Sequence, residues 1–376
     1  MAAVHLFVPR FRVDECLAEI RECLEKGWTG AGFKTVEFEE AWKSYTGLPH
    51  AHFVNYNTAG LHLALEVLKR RSGWEQADEV ITTPLTFVST NHTILHAGLT
   101  PVFADVDESL CLSPDSVAAR ITPRTRAVMF VGFGGSAGNY HAVLDLCRTH
   151  NLAMILDAAH MAGTRVAGCH AGHGADAAVF SFQAVKNLPT GDSGMVCFQN
   201  PEDDATARRL SWLGIDKDTF TRTHSSGIFR WRYEVTDLGY KYAGNSVMAA
   251  IGLAQLNYLD QDNQCRRHYA RWYRNLLGND ERVRLIPVGA DCESSTHLFQ
   301  IRVANRDALM MYLNQNGVFP GVHYRDNTEY TMYASSHGRC PNAHLASREL
   351  ISLPLHLHLT LEDVRMVADL VRRGLG

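Results

Sequence analysis

The chain of 376 residues contains no C-x-x-C pair, and its nine cysteines, an odd number, are scattered from Cys16 to Cys340. This spacing excludes a zinc knuckle and argues against a disulfide framework, so a reducing cytoplasm is the expected compartment. No apolar run approaches the roughly 20 residues that a membrane-spanning helix needs. Met1 to Arg10 lack the basic stretch and apolar core of a secretory signal. There is neither a basic block nor an acidic tail. The 36 Lys and Arg and 40 Asp and Glu are mixed along the chain, for a net charge of -4. Neither a nucleic-acid partner nor a membrane is therefore expected. Internal repeats and low-complexity segments are absent as well.

What is present is 46% hydrophobic, enough for a substantial core. Asp14 to Lys26 reads as a helix ended by Gly27, and Val36 to Tyr45 as a second. A βα alternation follows. Strands at His52 to Asn55, Val80 to Thr83, Pro101 to Val106, Ala127 to Val131 and Ala153 to Leu156 alternate with helices. Those helices lie at Thr58 to Arg71, Val88 to His96, Pro114 to Ile121 and Tyr140 to His150. Further apolar runs at Ala177 to Phe182 and Gly194 to Phe198 read as strands, and Asn257 to Leu277 as one long helix. The expected architecture is α/β: a large domain over residues 1–250 with a mainly parallel sheet flanked by helices, and a smaller α/β domain over residues 251–376. Ligands in such a sheet sit at the carboxyl ends of the strands.

The most informative stretch runs from Ile155 to Met195. Asp157 ends one apolar strand and Lys186 follows the next, with Thr190, Gly191 and Gly194 in a permissive loop beyond. A pyridoxal 5'-phosphate (PLP) site needs such parts. A lysine must form an imine with the cofactor aldehyde, and an acid must keep the pyridine nitrogen protonated. Hydroxyls and backbone amides at a helix start must hold the phosphate, a role that suits Thr58 and Ser181. Phe87 offers an aromatic face for the ring.

The chain resembles the DegT-type sugar aminotransferases, a family of fold-type I PLP enzymes, over nearly its whole length. Gly27-Trp28-Thr29-Gly30 is similar to the family's N-terminal signature, and Asn57-Thr58-Ala59-Gly60 to its phosphate-loop helix. Pro84 to Thr90 carries the ring-stacking aromatic, Asp157-Ala158-Ala159-His160 the pyridine-nitrogen motif, and Ser181 to Lys186 the imine motif. Gly239-Tyr240-Lys241-Tyr242 and His323-Tyr324 also match. The resemblance implies that Lys186 is the imine lysine and proton shuttle, that Asp157 pairs with the ring nitrogen, and that His160 lies near the ring. It further implies that Thr58, Ala59 and Ser181 bind the phosphate and that Phe87 stacks. Lys241 or Asn245 would reach the neighbouring subunit's site in a homodimer. Trp28, Thr29, His323, Tyr324 and Arg325 are the candidate substrate contacts. Tyr56 and Asn57 stand where the family often has Ser-Gly, and Lys241 where an Asn is common. The implied reaction moves an amino group from an amino acid, glutamate by resemblance, to a nucleotide-linked keto sugar. The Gly-Tyr-Lys-Tyr form resembles members that aminate C4 of a 4-keto-6-deoxyhexose, and Arg230, Arg232, Lys241 and Arg325 offer cations for a diphosphate. A C3 sugar or cyclitol aminotransferase is the near alternative.

A rival reading lies in Gly132-Phe133-Gly134-Gly135-Ser136-Ala137. Its G-x-G-x-x-A spacing follows a strand, and an acid ends the next strand, as in an NAD-binding loop of an oxidoreductase. It leaves Lys186 unexplained. Among the 19 histidines, His160, His170 and His173 form the best metal candidate, yet their spacing fits no standard ligand pattern. His356 and His358 read as alternate positions of a half-exposed strand, and Arg266-Arg267 as a solvated helix face.

Overall fold

The computed structural model of the protein describes residues 3–216 and 233–376. Its centre is a seven-stranded sheet in the order His50–Val54, Gly194–Phe198, Ala177–Ser181, Ala153–Asp157, Thr125–Val131, Glu79–Thr82, Thr100–Phe103. The last five pair in parallel, and Gly194–Phe198 runs antiparallel to both of its neighbours. The central strands carry unbroken apolar runs, Ala127 to Val131, Ala153 to Leu156 and Ala177 to Phe180, because both faces are covered. Val128, Phe130 and Leu156 enter one core, while Ala127, Met129 and Ile155, one residue out of phase, enter the other. The helices Asn57–Ser72, Val88–His96, Pro114–Ala118 and Tyr140–Thr149 fall where the alternation predicts, within a few residues.

A third core unites Tyr273, Leu277, Phe299, Ile301, Leu353 and Val367 around the antiparallel strands Arg284–Leu285, Phe299–Arg302 and Leu350–Leu353. Val4 belongs to this core, and Val4–His5 pairs in parallel with Val318–Phe319. The first residues of the chain are thus tied to the C-terminal unit. That anchoring brings Phe7 to the site described below.

The long helix expected over Asn257 to Leu277 is observed as Leu259–Leu277, and a separate helix, Ser246–Leu256, precedes it. Between them stands Tyr258, at φ -112° and ψ -3°. Its hydroxyl donates to Glu15, and the Arg12 guanidinium lies 4.2 Å over its ring, contacts that hold the junction. His356 and His358 lie in a turn after Leu350–Leu353, not in a strand, and His356 is buried. Arg266 is not solvated: it is 5% exposed and donates to the Leu355 carbonyl. Burial lowers its pKa to about 10, with Asp262 opposing the shift. Arg230 and Arg232 lie outside the described residues.

Candidate active site

The strands' carboxyl ends open into a cavity of about 430 Å³. Asp157, the last residue of its strand, stands on the wall at 4% exposure. Its carboxylate accepts from the Thr90 hydroxyl at 2.7 Å and from the Ala159 amide at 3.2 Å. Thr90 in turn has the Thr86 hydroxyl at 2.9 Å. No cation lies within ion-pair distance of Asp157 among the described residues, and burial raises its pKa despite these bonds and the Lys186 charge. A carboxylate so placed is one that a cationic partner would stabilise.

Lys186 lines the same cavity. It follows the strand Ala177–Ser181, in a turn where its amide donates to the Gln183 carbonyl. Desolvation lowers its pKa to about 8, and the Asp157 carboxylate opposes the shift. A far larger share of this amine is therefore a free nucleophile near neutral pH than at its ordinary value of 10.5.

The helix Asn57–Ser72 begins at the cavity with no side chain capping it. Its first amides are unsatisfied donors at the positive end of the helix dipole, an anion site by construction. Thr58 and Ser181 line the cavity beside it, and Ala59 is buried in the first turn. The antiparallel strand passes so close that a β-carbon at Gly194 would lie 2.9 Å from the Asn57 nitrogen. Phe87 sits at the cavity at 59% exposure.

The opposite wall is formed by Phe7, from the N-terminal segment, and by His297, His323 and Tyr324. His160 joins the walls. Its Nδ1 accepts from the Gly134 amide at 3.2 Å, and its Nε2 lies 3.1 Å from the Tyr324 hydroxyl. Burial holds its pKa well below the usual value, with the Lys186 charge adding to the shift. His160 is thus a neutral imidazole with its proton on Nε2, and it donates that proton to Tyr324.

Of the expected site residues, the cavity gathers Thr58, Phe87, Asp157, His160, Ser181, Lys186, His323 and Tyr324. The others stand elsewhere in this chain. The Trp28 indole donates to the Ala31 carbonyl, and the Thr29 carbonyl accepts from Ser246. Arg325 pairs with Glu329, Lys241 stacks 3.0 Å over the Trp212 ring, and Asn245 caps the helix Ser246–Leu256. The sequence reading missed Phe7, Tyr56, Thr90, Gln183 and His297, all of which line the cavity. Thr90 and Gln183 lay inside recognised motifs without a role assigned to them, and Tyr56 stood out only as a departure from the family's Ser-Gly.

The dinucleotide reading of Gly132 to Ala137 is corrected by what the loop touches. The Gly134 amide is taken by His160, and its carbonyl accepts from His297 and Leu298. At Gly135, whose φ is +95°, a β-carbon would meet the Ser295 hydroxyl at 2.4 Å. The loop brackets the two walls together, and its polar groups are already spent. Nor do His160, His170 and His173 converge. His170 accepts from the Gly163 amide, and His173 contacts the Thr46 carbonyl.

A nucleophilic lysine, an unpaired buried carboxylate and an uncapped helix start, grouped at the strand ends of an α/β sheet, define a PLP-dependent transferase. The donor set fits that cofactor, offering an amine for its aldehyde, an acid for its ring nitrogen and amides for its phosphate. The model of the DegT/DnrJ/EryC1/StrS aminotransferase family matches residues 12–372. The chain is 35% identical to the spore coat polysaccharide biosynthesis protein SpsC of Bacillus subtilis, across 95% of this chain and 94% of that protein. Aminotransferase TlmJ of Streptoalloteichus hindustanus superposes with a TM-score of 0.91 at 33% identity, covering 100% of this chain and 99% of TlmJ. Spr1654 of Streptococcus pneumoniae, solved in PMP and PLP forms, gives a TM-score of 0.90 for the PMP form at 27% identity, with 98% of each chain covered. The chain belongs to the DegT/DnrJ/EryC1/StrS family and is a PLP-dependent sugar aminotransferase of fold-type I.

Proposed function

We propose that the protein transfers an amino group from glutamate to C4 of a nucleoside-diphosphate-linked 4-keto-6-deoxyhexose. The observation that carries the chemistry is the placement of Lys186 and Asp157 on the lining of one cavity. Bound PLP supplies an electron sink that stabilises the carbanion formed when the donor loses its α-proton. Lys186 Nζ would hold the cofactor through its aldehyde and would move a proton at that same atom. Asp157 keeps a positive charge at the ring nitrogen, with Thr90 and Ala159 orienting its carboxylate. The first amides of Asn57–Ser72, with the Thr58 and Ser181 hydroxyls, hold the phosphate. Phe87 covers one face of the ring, and His160 braces the site through Tyr324. Trp28, Thr29, His323, Tyr324 and Arg325 are assigned to the sugar nucleotide. A panel of 4-keto and 3-keto nucleotide sugars with glutamate, read by product NMR, tests the substrate. A new amine at C4 is expected. Amination at C3, or activity only on a cyclitol or unactivated sugar, would refute the C4 assignment.

The active unit in this reading is a cytoplasmic homodimer with shared sites, serving amino-sugar synthesis for a polysaccharide. Its nine cysteines are unpaired. No helix among the described residues is long and apolar enough to cross a membrane. Support for a partner chain comes from Val13, Leu17 and Leu24, which share one face of the helix Val13–Glu25 at 60%, 54% and 63% exposure. The proposal has Lys241 and Asn245 serve the partner's cavity. Mixing inactive Lys186→Ala chains with inactive Lys241→Ala chains should restore up to about a quarter of the activity, because about half of the dimers are mixed and each mixed dimer holds one intact site of two. No recovery after verified subunit exchange counts against shared sites.

A further inference from the structure

The small-domain wall of the cavity carries a histidine whose protonation state is dictated from a distance. His297 is 1% exposed, lies on the cavity wall and has no part in the cofactor cradle just described. A chain of buried amides reaches it. Asn263 donates Nδ2 to the Ala162 carbonyl at 2.9 Å, which turns its Oδ1 toward Asn187. Asn187 donates Nδ2 to that Oδ1 at 2.6 Å and to the Ser295 carbonyl at 2.8 Å. Backbone carbonyls accept only, so neither amide can flip without setting oxygen against oxygen. The Asn187 Oδ1 is left to accept from His297 Nδ1 at 2.9 Å. His297 therefore carries its proton on Nδ1. Its Nε2 is a bare acceptor with no protein partner among the described residues.

The ring is fixed as well as the tautomer. Phe7 stacks on it at 5.4 Å between centroids, and His160 lies 4.5 Å away on the same scale. Burial holds its pKa well below the usual value, and the nearby Lys186 charge adds to the shift. His160 gives its own proton to the Tyr324 oxygen, so the Tyr324 hydroxyl hydrogen is free to donate. One wall thus offers a committed acceptor, His297 Nε2, beside a committed donor, Tyr324. A ketone flanked by a hydroxyl presents the complement: a carbonyl oxygen that accepts and an O–H that donates.

We propose that His297 is a specificity-determining residue that accepts a hydrogen bond from the hydroxyl next to the substrate's ketone, so that the enzyme selects α-hydroxy ketones over their deoxy analogues. This rests on the keto-sugar reading above. The test is a cycle of enzyme and substrate changes, using a nucleotide keto sugar and its analogue without the flanking hydroxyl, on the holoenzyme and on His297→Phe. In the unsubstituted enzyme, loss of the hydroxyl should lower kcat/KM by about 5- to 100-fold, the worth of a hydrogen bond in a desolvated site. In His297→Phe the same deletion should change it less than about two-fold, and the damage should fall more on the keto-sugar half-reaction than on the donor half-reaction. Equal penalties in both proteins, or damage concentrated on the donor, would overturn the proposal. A second readout needs no turnover and no variant. Imidazole 15N NMR of the holoenzyme should show His297 neutral with its proton on Nδ1 between about pH 6 and 8. A proton on Nε2 would also overturn it. If the unsubstituted enzyme aminates no keto sugar while His297 shows the expected tautomer, it is the keto-sugar reading that has failed.

Discussion

Lys186→Ala should lower transamination by at least on the order of 10³-fold, because one side chain is asked both to hold the cofactor and to move the proton. The variant should still take up PLP non-covalently, since the uncapped helix start, Asp157 and Phe87 are untouched. No other lysine lies between Ser181 and Met195 to take over. A stability signature accompanies the loss. The Lys186 pKa of about 8 in the folded chain is below its ordinary value of 10.5. Between those limits the unfolded chain binds more protons, so the cofactor-free protein gains stability as pH rises from about 8 to 10.5. The alanine variant should lose that rise. Steady-state assays and denaturation at several pH values check both parts, and near-parental turnover would contradict the assignment.

Asp157→Asn is the second large effect. The amide matches the carboxylate in shape and can still meet Thr90, so the variant should fold and bind some PLP. It cannot keep a ring nitrogen protonated, and the electron sink weakens accordingly. Loss of a charge-assisted partner of this kind costs on the order of 2–4 kcal/mol, or about 30- to 1,000-fold in kcat. Single-turnover kinetics with glutamate isolate the step. A rate within about two-fold of the parent would remove Asp157 from this role.

The parallel part of the sheet was legible because buried strands alternate with crossover helices, and each boundary carries its own local signal, such as Ser113-Pro114 or the helix-ending Gly73. The place of Gly194–Phe198 was not legible. Its apolar run looks like its parallel neighbours, and only long-range pairing puts it, reversed, between His50–Val54 and Ala177–Ser181. In the site, Asp157, Ser181 and Lys186 could be read because chemistry-bearing residues fall at strand ends in a recognisable order. His297 could not. A lone histidine just before the strand Phe299–Arg302 reads as a core residue, and its meaning depends on Asn187 and Asn263, far away in the chain. Arg266 failed in the opposite direction: a doubled arginine suggests a wet helix face, yet one member turns inward to the Leu355 carbonyl.

The covalent partner of the cofactor is the central claim and can be read directly. Borohydride reduction of the holoenzyme, followed by proteolysis and mass spectrometry, should place the pyridoxyl label on the peptide containing Lys186 and on that lysine alone. A label on Lys241 or any other lysine, or no covalent label on a protein that binds PLP and is active, would contradict the account.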